Sequence, residues 1–276
     1  MLRGLTKAGL GEFEDDKQLI ELAADYGFQS VDLDARSFIT TFGLDHAKEI
    51  LSENDVSIGS IGLSVQWRTS DDDFSSSLPN LILEAQAAKE LGCSRCCTYI
   101  LPSTDLKSAH LMSLAVKRLR ICAEILSAYD IRLGLEYVGP HHLRGTWKNP
   151  FIWTQEETLS LIDAIGLPNV GLLLDSYHWH TTGLSSDDIA NLNESQIVHV
   201  HINDAANLPV EELKDNERLY TGEGIIDLEL FLKSLQKTGY KGPIAQEVLT
   251  SKQATQSIHE ILRRSKAGFD RVFNNL

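Results

Sequence analysis

Eight short apolar runs alternate with eight longer amphipathic ones along these 276 residues, and that alternation constrains the fold more than any other feature. The strand-like runs are Arg3–Leu5, Ser30–Leu33, Ser57–Leu63, Cys96–Tyr99, Arg132–Tyr137, Val170–Leu174, Ile197–Ile202 and Pro243–Val248. Helical spacing of apolar residues is expected over Asp15–Tyr26, His46–Glu53, Leu81–Leu91, Ala109–Tyr129, Gln155–Ile165, Ser186–Leu192, Leu228–Lys237 and Gln256–Phe273. Gly27, Gly92, Gly166 and Gly239 stand where helices should end in a left-handed cap. Thr154-Gln-Glu-Glu157 has the capping-box pattern of a helix start. Runs such as Val170-Gly-Leu-Leu-Leu174 are apolar on both faces, as strands are when helices cover both sides of a parallel sheet. Eight such units in series predict a closed (β/α)8 TIM barrel, a fold of roughly 250 residues, in a single domain over residues 1–276. An open dinucleotide-binding sheet is disfavoured, because no G-x-G-x-x-G follows the first strand. The longer stretches Thr69–Pro79 and Gly139–Trp153 read as loops beside an active site.

The formal net charge is −14, from 25 Lys and Arg against 39 Asp and Glu. Nucleic-acid backbones are gripped by basic surfaces, so a nucleic-acid partner is not expected. Anionic membranes are disfavoured for the same reason, while a local basic pocket for one phosphate stays open. Met1–Ala8 lacks the apolar core of a signal peptide, and no run approaches the roughly 18 apolar residues of a membrane span. The expectation is a cytoplasmic enzyme, with a homo-oligomer compatible with the sequence. Cys93-Ser-Arg-Cys96 forms a C-x-x-C with no second pair, at the start of a strand. It reads as small buried apolar residues rather than a zinc or redox site.

Barrel active sites lie at the C-terminal ends of the strands, so the residues that close the apolar runs carry the chemistry. The fifth run ends in Glu136, the sixth in Asp175, the seventh in His201 and the eighth in Glu247. Singly, each has a plain structural reading: a helix cap for Glu136 or Asp175, a buried bonded histidine for His201, a rim ion pair for Glu247. Jointly, three carboxylates and an imidazole at one mouth need protons or a cation between them, because buried carboxylates are costly without compensation. Oxygen and nitrogen donors without thiolates suit Mn²⁺, Mg²⁺, Co²⁺, Fe²⁺ or Zn²⁺. His199 and His201 share one strand face, so spacing alone leaves both open, and position nearer the strand end favours His201.

At these residues the chain resembles the xylose isomerase-like sugar isomerase/epimerase superfamily, over essentially its whole length. The resemblance rests on Gly134-Leu-Glu136, Leu172-Leu-Leu-Asp175-Ser-Tyr-His178, His199-Val-His201-Ile-Asn-Asp204 and Gln246-Glu247. Gly222-Glu-Gly-Ile-Ile-Asp227 also resembles the run ahead of the seventh helix in many members. The resemblance implies one divalent metal ion, Mn²⁺ favoured, on Glu136, Asp175, His201 and Glu247, with the two glutamates doubling as an acid/base pair. It implies a substrate contact at His178 and places Asp204 behind the ligand histidine to orient it. Ketose 3-epimerases carry arginine six residues after the ligand histidine, where this chain has Asn207, which weakens a free-ketose assignment. His110 supplies no equivalent of the additional ligands in endonuclease IV.

The chemistry implied is proton abstraction next to a carbonyl of a small carbohydrate, through an enediolate stabilised by a divalent ion. Trp67, ending the third strand, is placed to pack on a sugar's carbon skeleton, and Trp147, after the fifth, to cover the site. His141, His142 and Arg144 in the same loop are placed to meet an anionic group; loop packing or solvent exposure is the plain alternative for all five. The expected function is therefore an isomerase or epimerase of a small sugar, sugar acid or sugar phosphate. Competing readings are an inosose-type dehydratase, an endonuclease IV-like phosphodiesterase and a non-catalytic sugar-binding barrel.

Overall fold

The computed structural model describes residues 1–251, 255–274 and 276. The first strand, Leu2–Leu5, pairs in parallel with the eighth, Pro243–Gln246, on one side and with the second, Ser30–Val31, on the other. The third strand is split. Ser57–Ile58 pairs with the second strand, and Ile61–Gly62 pairs with the fourth, Arg95–Ile100. The fifth (Arg132–Tyr137), sixth (Val170–Asp175) and seventh (Ile197–Ile202) strands complete the circuit to the eighth. All these pairings are parallel, so the barrel closes through the two halves of its third strand.

Helices cover the outside and bury one face each. Leu228–Thr238, for example, turns Leu228, Phe231, Leu232 and Leu235 inward, because those positions recur at helical spacing. The capping box at Thr154 forms, and Gly166 ends that helix in the left-handed conformation. No helix among the described residues is long and apolar enough to cross a membrane. The described cysteines are all unpaired thiols.

Three departures from the sequence reading concern connections. Asp71–Glu90 is one continuous helix, so most of the expected loop Thr69–Pro79 is helical. Pro79, the expected end of that loop, lies inside the helix, at the cost of one backbone hydrogen bond. The true start is Ser70, whose side chain accepts from the Asp73 N–H, followed by three aspartates suited to a helix N-terminus. A further helix, Ala35–Phe42, follows the second strand where no helical spacing is expected; Asp34 caps it by accepting from the Ser37 N–H. Within Gly139–Trp153 lie a short helical turn, His141–Arg144, and a two-residue strand, Asn149–Pro150, antiparallel to Ser103–Thr104.

Arg118 fastens the loop after the third strand to the barrel wall. Buried on the helix Ser108–Ser127, it donates to the carbonyls of Trp67 (2.8 Å) and Thr69 (2.7 Å) and to Asp71 Oδ1 (2.7 Å). Arg118→Met leaves the buried Trp67 carbonyl without this donor and should lower stability by about 1–3 kcal/mol, read as a lower urea midpoint at unchanged slope.

Candidate metal centre

The parallel register brings the four strand-closing residues to one height. Glu136 pairs with Tyr99, His201 with Asp175, and Ile202 with Gln246, after which the Glu247 N–H donates to the Ile202 carbonyl (3.1 Å). Glu136, Asp175, His201 and Glu247 each offer a ligand atom within 4.8 Å of the others. His199 stays outside that group, although it shares a strand face with His201.

Asp175 is the most firmly held. It caps the short helix Ser176–Thr181 through the Tyr177 N–H (2.6 Å), and it accepts from Asn203 Nδ2 at 3.2 and 3.1 Å. The capping role and the place in the quartet are thus combined in one side chain. Arg218, absent from the sequence reading, reaches in from the long loop after the seventh strand. Its Nη1 donates to Asp175 Oδ2 and to Glu247 Oε2, each at 2.9 Å, and its Nη2 donates to Asp215 Oδ1 (2.7 Å). His178 is also buried, accepting from the Gly139 N–H on Nδ1 (3.3 Å), with Nε2 3.3 Å from Arg218 Nη2 and 3.7 Å from Glu136 Oε1.

Two buried atoms face this cluster without a hydrogen-bond partner among the described residues, Glu136 Oε1 and His201 Nδ1. They stand 3.8 Å apart, and His201 Nδ1 is 3.5 Å from Glu247 Oε2. These separations exceed good hydrogen bonds but match ligand atoms around a common ion, where metal–ligand distances are about 2.0–2.2 Å. The donor set therefore fits a divalent cation.

The two glutamates differ in proton affinity. Burial pushes Glu136 above the usual carboxylate range, and the histidines offset this only in part. Burial acts on Glu247 too, but the charges on His201 and Arg218 outweigh it and hold this group down, at about 2. Asp175 is also lowered, Arg218 and His178 overcoming the burial penalty. His201 is raised well above its ordinary value, burial being outweighed by the charge of Glu247 and by the hydrogen bond to Asp32. A cavity of about 290 Å³ opens above the cluster, lined by Glu136, His201 and Glu247 together with Asp32 and the hydroxyl residues Thr6, Ser60 and Thr98.

Other expected site residues are placed elsewhere. Asp204 does not touch His201. Its carboxylate accepts from the N–H groups of Ala205 (2.9 Å), Gly224 (2.8 Å) and Ile226 (2.9 Å), tying down the loop that carries Arg218. A Cβ at Gly224 would collide with the Ala205 carbonyl and Asp204 Oδ1, so this tie needs glycine. The carboxylate behind His201 is Asp32, at the end of the second strand (3.3 Å). Trp67 is core, 1% exposed, with its Nε1 donating to Thr98 Oγ1 (3.3 Å), and it does not line the cavity. Trp147 is half-buried beside Ser103, whose Oγ accepts from its backbone N–H (3.3 Å), and it too is off the cavity wall. Arg144 is spent on the carbonyls of Gly139 and Thr181 and on the face of Trp153, while His142 is exposed. Asp32 lies inside the run Ser30–Leu33, one residue before its end, so the rule that found the quartet passes over it. No pattern in the sequence marks Arg218.

Residues 20–267 match the family described as the xylose isomerase-like TIM barrel, and the chain belongs to that family. Among its relatives, an inosose isomerase of Halalkalibacterium halodurans is 29% identical over 144 residues, 52% of this chain and 49% of that protein. The chain spans about half the length of the curated relatives it matches first. Other relatives are named as a ketose 3-epimerase and as 3-dehydroshikimate dehydratases. Among solved structures, a xylose isomerase domain protein from Alicyclobacillus acidocaldarius superposes with a TM-score of 0.92 at 30% identity, covering 100% of this chain and 99% of that one. A structure described as IOLI protein with a binding zinc atom shares the fold, with a TM-score of 0.82 at 18% identity over 100% and 99% of the two chains.

Arg218 is the cation that lets the buried Asp175 lie beside the partly buried Glu247 and Asp215. Arg218→Met should destabilise the protein, measured in chelator by urea unfolding, by roughly 3–5 kcal/mol, the cost of leaving buried charges uncompensated.

Proposed function

We propose that this chain is a divalent-metal-dependent isomerase or epimerase of a small sugar, sugar acid or sugar phosphate. The observation that carries the reading is the pair of buried unpartnered atoms, His201 Nδ1 and Glu136 Oε1, facing each other beside two further carboxylates at the floor of a cavity. Glu136, Asp175, His201 and Glu247 would hold one ion, Mn²⁺ first among Mg²⁺, Co²⁺, Fe²⁺ and Zn²⁺. When bound, such an ion acts as a Lewis acid that stabilises the negative charge of an enediolate. A neighbouring structure's zinc supports a divalent ion at this kind of centre.

Proton transfer falls to Glu136 and Glu247. Their environments push their proton affinities apart, as suits a pair in which one carboxyl holds a proton while the other takes one up. Arg218 keeps Glu247 ionised and oriented, and Asp175 is locked by its cap and by Asn203. His178, on the short helix after the sixth strand, stands 3.7 Å from Glu136 Oε1 and is the further group assigned to a substrate hydroxyl. The hydroxyls of Thr6, Ser60 and Thr98 around the cavity suit a polyol better than an apolar ligand. Relatives named as dehydratases favour one second reading, in which the same proton abstraction is followed by loss of water.

A set of ketoses, inososes and sugar phosphates incubated with Mn²⁺ in D₂O should contain a substrate that gains solvent deuterium next to its carbonyl. Glu136→Gln and Glu247→Gln should each slow that exchange by about 10²-fold or more. Near-wild-type exchange in either variant removes that residue from the proton path, and a product lighter by one water identifies a lyase. Metal analysis should find close to one ion per chain; two or three would favour phosphodiester hydrolysis instead.

A further inference from the structure

An imidazole can present a lone pair to a cation from only one nitrogen while the other carries hydrogen, and the partner of the second nitrogen decides which. In His201 the nitrogen facing the glutamates is Nδ1, and Nε2 meets Asp32 Oδ2 at 3.3 Å. An ionised carboxylate only accepts, so this contact keeps a hydrogen on Nε2; when the ring gives up its second proton to a cation, the lone pair exposed is the one on Nδ1, toward the quartet. The same Oδ2 also receives His199 Nε2 at 2.8 Å, with the two rings edge-on, 5.2 Å apart at 82°. One carboxylate oxygen is therefore the pivot for both histidines of the seventh strand.

The room for Asp32 comes from a gap in the barrel. Gly59 lies between the two halves of the third strand, and a Cβ there would run into Asp32 Oδ1 and come within 3.5 Å of His199 Cε1. Its φ is not positive, so space, rather than backbone freedom, is what glycine supplies. Asp32 Oδ1, against this gap, is buried with no hydrogen-bond partner among the described residues. Leaving such an oxygen unsatisfied costs about 1–3 kcal/mol, so the site carries Asp32 for what Oδ2 does.

We propose that Asp32 is the positioning residue that fixes His201 with Nδ1 toward Glu136 and Glu247, and that Gly59 is the space that admits it. This rests on the metal-centre reading above and extends it to the barrel's opposite wall. In this arrangement His199 steadies Asp32 without being a ligand.

The test is Zn²⁺ affinity by competition with a chromogenic chelator, together with ¹⁵N shifts of His201 in the Zn²⁺-loaded protein. Wild type should bind Zn²⁺ through Nδ1 with hydrogen on Nε2. Asp32→Ala and Gly59→Ala should each lose about 10–100-fold in affinity, the usual cost of removing a group that orients a metal ligand. Asp32→Asn, whose amide oxygen still accepts, should fall between them and wild type, and it carries the test should Asp32→Ala not fold. His199→Gln should keep wild-type affinity. Unchanged affinity and unchanged His201 shifts in the Asp32 variants would overturn the inference while leaving the metal-centre reading intact. A wild-type chain that takes up no Zn²⁺ would overturn both.

Discussion

Everything at the mouth of this barrel depends on the compensation of buried negative charge. Glu136, Asp175 and Glu247 are drawn together by the sheet, and a cluster of carboxylates away from water is unstable unless cations or protons intervene. Arg218 answers part of that demand, with its guanidinium divided among Asp175, Glu247 and Asp215. The long loop after the seventh strand is built around delivering it: Asp204 gathers three backbone N–H groups there, and Tyr177 bonds the Lys214 carbonyl at 2.7 Å. The compensation is uneven. Glu247 lies against the arginine and Glu136 lies away from it, so two glutamates of one cluster differ in their hold on a proton.

The closed parallel sheet converts sequence position into spatial convergence. All barrel strands point the same way, so a residue that ends one apolar run lies beside the residue that ends the next. His201 and Asp175 are direct partners in the ladder, and Glu247 follows the partner of Ile202. The split in the third strand adds to this. At Gly59 the wall opens enough for a carboxylate from the second strand to reach the back of His201, so a site formed mainly by late strands is completed by an early one.

Periodicity made the barrel legible, because eight buried strands between eight amphipathic helices leave few ways to cover both faces of a sheet. The connections were harder to read. Pro79 normally marks a boundary, yet burial of Phe74, Leu81 and Ala85 along one helical face carries the chain through it. Trp67 and Arg144 look like site residues when only their position is known. One is core and the other is consumed by backbone carbonyls, since polar and aromatic groups near a rim also serve to satisfy loops.

By itself the sequence determined the fold class and the four strand-closing residues, because both follow from local alternation and a single geometric rule about strand ends. Only the tertiary structure decided which nitrogen of His201 faces the carboxylates, that Asp32 rather than Asp204 stands behind it, and that Arg218 compensates part of the cluster's charge. These depend on contacts between residues far apart in the chain, across a gap left by one missing Cβ or at the end of a loop with no periodicity. Local pattern carries no trace of such contacts until the barrel has closed.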